Sequence, residues 1–413
     1  MAVFQASQLL IPREELLADW AVIACDQFTS QPEYWREVRE QVGDKPSAYH
    51  IIFPEAELGK DEQARTASIN DHMRRYLDGD VFRRFPDAYV YVERRLFDGS
   101  VRRGVVGMID LEDYDYQSDA ASAVRATEQT VVVRIPPRVR IRRDAALETS
   151  HVMLLMDDAS GRVLDSLEEK KAALPKVYDF QLMQGGDAVT GRLVQGADAR
   201  ALDAALDAYE AETRARFAET GKAPLLYAVG DGNHSLAAAK TCWEALKAAR
   251  PELKGTRHPA RYAMVELQNI RDDCQKFEPI HRLLTNVSVN KILFAAKDIC
   301  GPGGFAVDWQ AGERQGTLFL SKELGSLPVA ILQPLLDRAL RETGGSIDYI
   351  HEEETAMRLA RRVGAIAFLL PKISKADFFR GIVMDGVLPR KTFSMGHAWE
   401  KRYYLECLKI TED

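Results

Sequence analysis

The stretch Tyr227-Ala-Val-Gly230-Asp231-Gly232-Asn233-His234-Ser235, followed by an alanine-rich segment to about residue 250, leaves the backbone little choice. A short apolar run that stops at glycines and small polar residues, with helix-forming sequence directly behind it, predicts a strand over 225–229, a tight turn, and a helix. The first N–H groups of such a helix have no intrahelical partner, and its N-terminus favours negative charge, so the turn suits a phosphate. Gly230 and Gly232 permit close backbone approach, while Asp231, Asn233, His234 and Ser235 supply a carboxylate, an amide, an imidazole and a hydroxyl. A capped strand-to-helix turn, with Asn or Ser as the cap and the histidine on the surface, accounts for the same residues.

The surrounding sequence predicts an α/β fold. Helical composition over 60–76, a β-hairpin pairing 89–95 with 101–109, and a second hairpin from 151–156 through an Asp-Asp-Ala-Ser-Gly turn into 162–164 precede a long helix over 198–219. Strand 262–267, helix 289–296 and two strands between 305 and 320 follow. A β-α rhythm then runs through 347–350, 352–362, 365–370 and 375–383. Glycines at 185, 186 and 196 place a boundary between two lobes, 1–196 and 197–413. The 413 residues are enough for two cores.

Apolar residues make up 46% and charged residues 28%, and no apolar run approaches the ~20 residues of a membrane helix. The first residues lack the basic flank and apolar core of a signal peptide, so a cytoplasmic protein is expected. Five scattered cysteines argue against a disulfide framework or zinc ribbon. A net charge of −7 disfavours nonspecific nucleic-acid binding. Arg134, Arg138, Arg140, Arg142 and Arg143 form a local basic cluster, read either as a grip on a phosphorylated small molecule or as a solvated strand face. Walker-type phosphate loops, nucleophile elbows, zinc-protease helices and dinucleotide fingerprints are absent from the sequence.

The turn, with Val22-Ile-Ala-Cys25-Asp26-Gln-Phe-Thr29 and its continuation to Trp35, Arg125-Ala-Thr127-Glu128-Gln-Thr130, Phe277-Glu-Pro-Ile-His281-Arg282 and Leu388-Pro-Arg-Lys391-Thr392, resembles domain-of-unknown-function family 1015. That resemblance implies a distant tie to the ParB/sulfiredoxin-like superfamily, which includes ATP-dependent sulfiredoxins, CTP-hydrolysing partition proteins and kinases acting on free serine. It implies a unit of that fold around the turn, with a nucleotide (ATP, ADP or CTP) and Mg²⁺ as ligands. The chain departs from the motif at Asn233, where the fuller pattern has His, and at Ser235, where it has Arg.

Phosphoryl transfer needs cations and N–H groups on the phosphates, a metal, and a base for the acceptor. Asp231 is the candidate metal ligand and, with His234 and Glu128, a candidate catalytic residue. Glu128 as base rests on the resembling kinases, against a capping or salt-bridging glutamate. Gly230, Gly232, Asn233, Ser235, His281, Arg282 and Lys391 are the candidate phosphate contacts, and Asp26, Thr29, Arg125 and Thr127 the substrate-side candidates. His281 is equally readable as a structural histidine, Lys391 as surface charge, and Asp26 with Thr29 as an Asx-type turn. Two functions remain open: a small-molecule kinase or nucleotide hydrolase, and a noncatalytic module that binds a phosphorylated ligand.

Overall fold

The computed structural model describes residues 2–59, 61–117, 120–130 and 135–412, with only the backbone at Ser394 and Met395. Arg134 of the basic cluster lies outside the described residues. The fold is mixed α/β. A 13-stranded sheet carries the order Tyr114–Asp115, Val124–Ala126, Tyr227–Asp231, Met153–Met156, Tyr262–Asn269, Val101–Asp110, Phe82–Arg95, Ser7–Pro12, Cys407–Lys409, Leu147–Thr149, with three further strands off this path. Its centre is the expected hairpin, Phe82–Arg95 against Val101–Asp110, in which Val90 faces Val106. All eight residues of Tyr262–Asn269 are buried, as a central strand covered on both faces must be.

A second sheet of five strands is built from His281–Thr285, Cys300–Ala311, Arg314–Leu320, Ser346–Ile350 and Ile366–Leu369. It has its own apolar layer, with Leu284, Ile366 and Phe368 packed against Leu332 and Leu336 of the helix Pro328–Thr343. Strands from both sides of residue 196 share the large sheet, so the expected lobes 1–196 and 197–413 do not coincide with the sheets. The independent sheet begins at His281. Among the described residues, no helix is long and apolar enough to cross a membrane.

Two local expectations are corrected. Met153–Met156 does not turn back as a hairpin, because the Asp158 carboxylate accepts from the N–H groups of Ser160 and Val163. The bond to Val163 satisfies one free N–H in the first turn of the helix Arg162–Lys170, whose cap residue is Gly161. The basic cluster is not a strand face either: Pro136 and Pro137 stand in the first turn of the helix Ile135–Arg143, where their fixed φ is an advantage. Its arginines are paired, Arg138 with Glu55, Arg140 with Glu62, Arg142 with Glu148 and Arg143 with Asp144.

Candidate functional site

The strand Tyr227–Asp231 runs parallel to Val124–Ala126, with Val229 opposite Ala126. Two residues further on, Thr127 and Glu128 leave one strand beside Gly230 and Asp231 leaving the other. The crevice outside the carboxyl ends of parallel strands is where α/β sheets place their ligands. The Thr127 hydroxyl donates to the Val229 carbonyl at 2.8 Å and fixes the two ends together. On the opposite side the ladder to Met153–Met156 is irregular between Val229 and Asp231, which makes Gly230 the bulge residue. Gly232 has φ +83°, and a Cβ there would lie 2.9 Å from the Val152 Cα.

The helix Asn233–Ala249 starts directly after Gly232, and no side chain caps it. The capped-turn reading therefore fails, since neither Asn233 nor Ser235 occupies the cap. Asp231 Oδ1 accepts from the Gly232 N–H at 3.0 Å. Asp231 Oδ2 lies 3.3 Å from Lys401 Nζ in an ion pair. Neither Asp231 Oδ2 nor Asn233 Oδ1 has a hydrogen-bond partner, although both atoms are buried. His234 and Ser235 are half-buried on the first turn.

Ser235 also lines a cavity of about 130 Å³ together with Cys25, Arg138, His151, Leu236 and Tyr404. His151 is buried, its Nδ1 2.7 Å from the Tyr404 hydroxyl. Asp26 stands at this edge. Burial opposes its ionisation, but His151, the Gln27 amide, Lys401 and Arg138 more than offset that and hold its carboxyl below the usual value. Burial, with Asp26 adding to it, pushes the Cys25 thiol up to about 12, which leaves it inert as a nucleophile. Thr29 is exposed at the end of this loop.

Glu128, Lys391, Arg282 and His281 form a neighbouring group. The Glu128 carboxylate accepts from the backbone N–H groups of Lys391 at 3.1 Å and Thr392 at 3.0 Å, while burial pushes its pKa up against those bonds. Lys391 is exposed and sits at φ +57°. Arg282 was expected on phosphate, yet it is 0% exposed. Its guanidinium donates to the carbonyls of Ile280 and Lys391 and to the Gln333 amide oxygen, and lies 4.9 Å from the Tyr349 ring centre. His281 is buried, and its Nδ1 accepts from the Leu370 N–H. Arg125 points away to the carbonyls of Ala223 and Ala120. These three side chains hold backbone in place rather than reaching into the crevice.

The geometry also brings in residues that the sequence did not single out for this site. Lys401, His151 and Tyr404 come from segments distant from the turn, and Arg138 arrives from the basic cluster. One segment, Leu388 to Tyr404, links both groups. Leu388 bridges to the backbone at Glu128, Lys401 reaches Asp231, and Tyr403–Tyr404 pairs with Val22–Ile23. Among the described residues, no group of three or more His, Cys, Asp or Glu side chains is placed to hold a metal.

Residues 6–320 match the family described as protein of unknown function (DUF1015), and the chain belongs to that family. Comparison with curated proteins gives no match. Similar solved structures include a free serine kinase in complex with AMP, at 12% identity and TM-score 0.38, covering 74% of this chain and 92% of that one. A conserved hypothetical protein from Pyrococcus furiosus, at 12% identity and TM-score 0.36, covers 72% of this chain and 93% of its own. SbnI from Staphylococcus aureus with a C-terminal truncation, at 10% identity and TM-score 0.36, covers 72% of this chain and 85% of its own.

Proposed function

We propose that this DUF1015 chain binds a nucleotide or another phosphorylated metabolite, as its magnesium complex, at the Asp231–Ser235 turn. The observation that carries the reading is the buried Asn233 Oδ1, left without a hydrogen-bond partner at the start of an uncapped helix, beside Asp231 Oδ2, which has the Lys401 ammonium at 3.3 Å but no well-formed hydrogen bond. A buried acceptor without a donor is costly, and a hard cation or a ligand N–H or O–H group removes the cost. Magnesium ordinarily takes one or two protein oxygens and completes its shell with phosphate and water, so two donors fit it where a full protein cage is missing. Bound there, the ion would neutralise phosphate charge. The residues do the rest: the helix N-terminus faces the anion, Lys401 offers a cation at 3.3 Å from Asp231, and Ser235 and His234 supply further polar groups. The resemblance of this turn to the ParB/sulfiredoxin-like pattern supports the same ligand class.

Thermal-shift titration with ADP, ATP, CTP and simple sugar phosphates, with and without Mg²⁺, tests the proposal. A ligand at ~100 times its dissociation constant stabilises by about 2.7 kcal/mol. Asp231→Ala and His234→Ala should abolish that shift while leaving the unliganded melting temperature nearly unchanged; variants that bind every ligand as the parent does remove the assignment.

The reading without turnover has a specific observation in its favour. Both Glu128 oxygens are engaged by backbone N–H groups of the 391–392 segment, as in a latch. If Glu128 is nonetheless the acceptor-side base, Glu128→Gln lowers turnover and leaves nucleotide affinity intact. A binding module shows ligand-induced stabilisation with no product in either form.

A further inference from the structure

Close in sequence to Lys401 and Asp26 lies an aromatic cluster that the phosphate chemistry does not use. Phe28 stacks on Tyr34 with ring centres 4.1 Å apart at 16°, and Trp399 stands 6.3 Å from Phe28 at 33°. His397 flanks the indole at 6.2 Å. Trp399 is 49% exposed, whereas Trp20, Trp35 and Trp243 are 0–1% exposed. A large apolar ring held half in solvent at the edge of other rings offers a stacking surface rather than core.

The platform is built rigidly. The buried Arg94 donates to the carbonyls of Trp399 and Lys401, and the buried Arg102 donates to that of Glu400 between them. Three consecutive carbonyls are thus clamped, and the Trp399 backbone is fixed relative to Lys401. On the other side Phe28 is held at φ +53°, a conformation that a bulky residue adopts only when its surroundings impose it. Both rings are two residues from groups at the turn: Trp399 from Lys401, which pairs with Asp231, and Phe28 from Asp26, whose carboxyl feels Lys401 and His151. Two residues of backbone span at most about 7 Å.

We infer that Trp399, flanked by Phe28, is the nucleobase platform of this site, so that the ligand is a nucleotide rather than a sugar phosphate or pyrophosphate. The inference rests on the phosphate reading of the turn and goes beyond it by naming the ligand class and the residue that selects it. Base stacking on an aromatic side chain is sequence-tolerant because every base presents a π-face, so the platform selects for a base and not for which base. Arg94 and Arg102 are positioning residues that keep the indole at a set distance from Lys401.

Isothermal titration of ADP, pyrophosphate and ribose 5-phosphate in the presence of Mg²⁺, on the parent, Trp399→Ala, Trp399→Phe and Asp231→Ala proteins, tests the assignment. Trp399→Ala should weaken ADP by about 5- to 100-fold. It should leave pyrophosphate and ribose 5-phosphate affinities within about twofold of the parent, and Trp399→Phe should restore most of the ADP affinity. ADP should also quench the parent's tryptophan fluorescence, and lose most of that quenching in Trp399→Phe. If Trp399→Ala binds ADP as tightly as the parent while Asp231→Ala loses all three ligands, the platform is wrong and the phosphate site stands. If none of the three ligands binds the parent, both readings fall. Since Trp399 is half exposed, matching melting temperatures of the two Trp399 variants separate loss of stacking from loss of fold.

Discussion

Gly232 is constrained twice over: its φ of +83° disfavours any side chain, and the Val152 backbone occupies the place of a Cβ. Gly232→Ala should therefore cost at least the ~1–3 kcal/mol of a strained backbone position. In urea unfolding it should lower the midpoint more than an alanine placed at the open Gly196, where nothing approaches within 4 Å. Asp26 supplies a pH signature. Its folded carboxyl is held below the unfolded value of about 3.9, so it contributes stability that is complete above that value and is lost as pH falls through the folded one. Asp26→Asn should flatten the parent's loss of stability below about pH 4; an unchanged acid limb would assign that loss to other carboxylates. The turn was legible in the sequence because its requirements are local: glycines for backbone shape, and polar side chains on adjacent positions. Lys401 and His151 were not legible, since Lys401 meets Asp231 across 170 residues and His151 meets Tyr404 across 253.

At the scale of elements, the segment from Leu388 to Tyr404 behaves as a strap across the two strand ends, and Glu128 is its fastening. Glu128→Ala leaves the N–H groups of Lys391 and Thr392 without their acceptor, at a cost of about 1 kcal/mol that comes mainly from the part-buried Thr392 bond, since water reaches the Lys391 N–H. Amide hydrogen exchange should speed at Lys391 and Thr392 while the central strand Tyr262–Asn269 keeps its protection. Glu128→Gln, with one carbonyl oxygen, should restore roughly half of the lost protection, and equal exchange in all three proteins would show that the strap is held elsewhere. Regular elements with clean boundaries were readable: the helices Glu62–Asp78, Ala197–Ala218 and Asn233–Ala249 and the strand Ile366–Leu369 fall close to their expected places. The helix Pro328–Thr343 was not, because Pro334 lies inside it, although Ile331, Leu332, Leu335, Leu336 and Ala339 recur at helical spacing. The arginine-rich helix was masked by its own charge, whose partners Glu55, Glu62 and Glu148 lie on other elements.

For the whole molecule, the last residues of the chain are structural to the first sheet. Cys407–Lys409 is inserted between Ser7–Pro12 and Leu147–Thr149, and the buried Arg402 joins Glu406 at 2.7 Å to Glu266 at 3.4 Å. Tyr178 donates to the same Glu406 at 2.5 Å, and the Gln268 amide donates to Glu266 at 2.6 Å. All three charged side chains are 0–5% exposed. One cation thus compensates two carboxylates in the interior, and this couples the strap's end to the strand that crosses the centre of the sheet. Replacing the cation alone is the severe change, because two buried negative charges then face each other without solvent. Arg402→Met should cost about 3–5 kcal/mol, measured by urea unfolding at pH 7. Protonation relieves a buried carboxylate that has lost its partner, so its deficit relative to the parent should shrink as pH falls toward 5. Adding Glu406→Gln to Arg402→Met removes one of the stranded charges and keeps an acceptor for Tyr178, and the double variant should recover part of the loss. A single variant within about 1 kcal/mol of the parent, or a deficit that grows on acidification, would mean that Arg402 is not the charge that ties the end of the chain to the sheet.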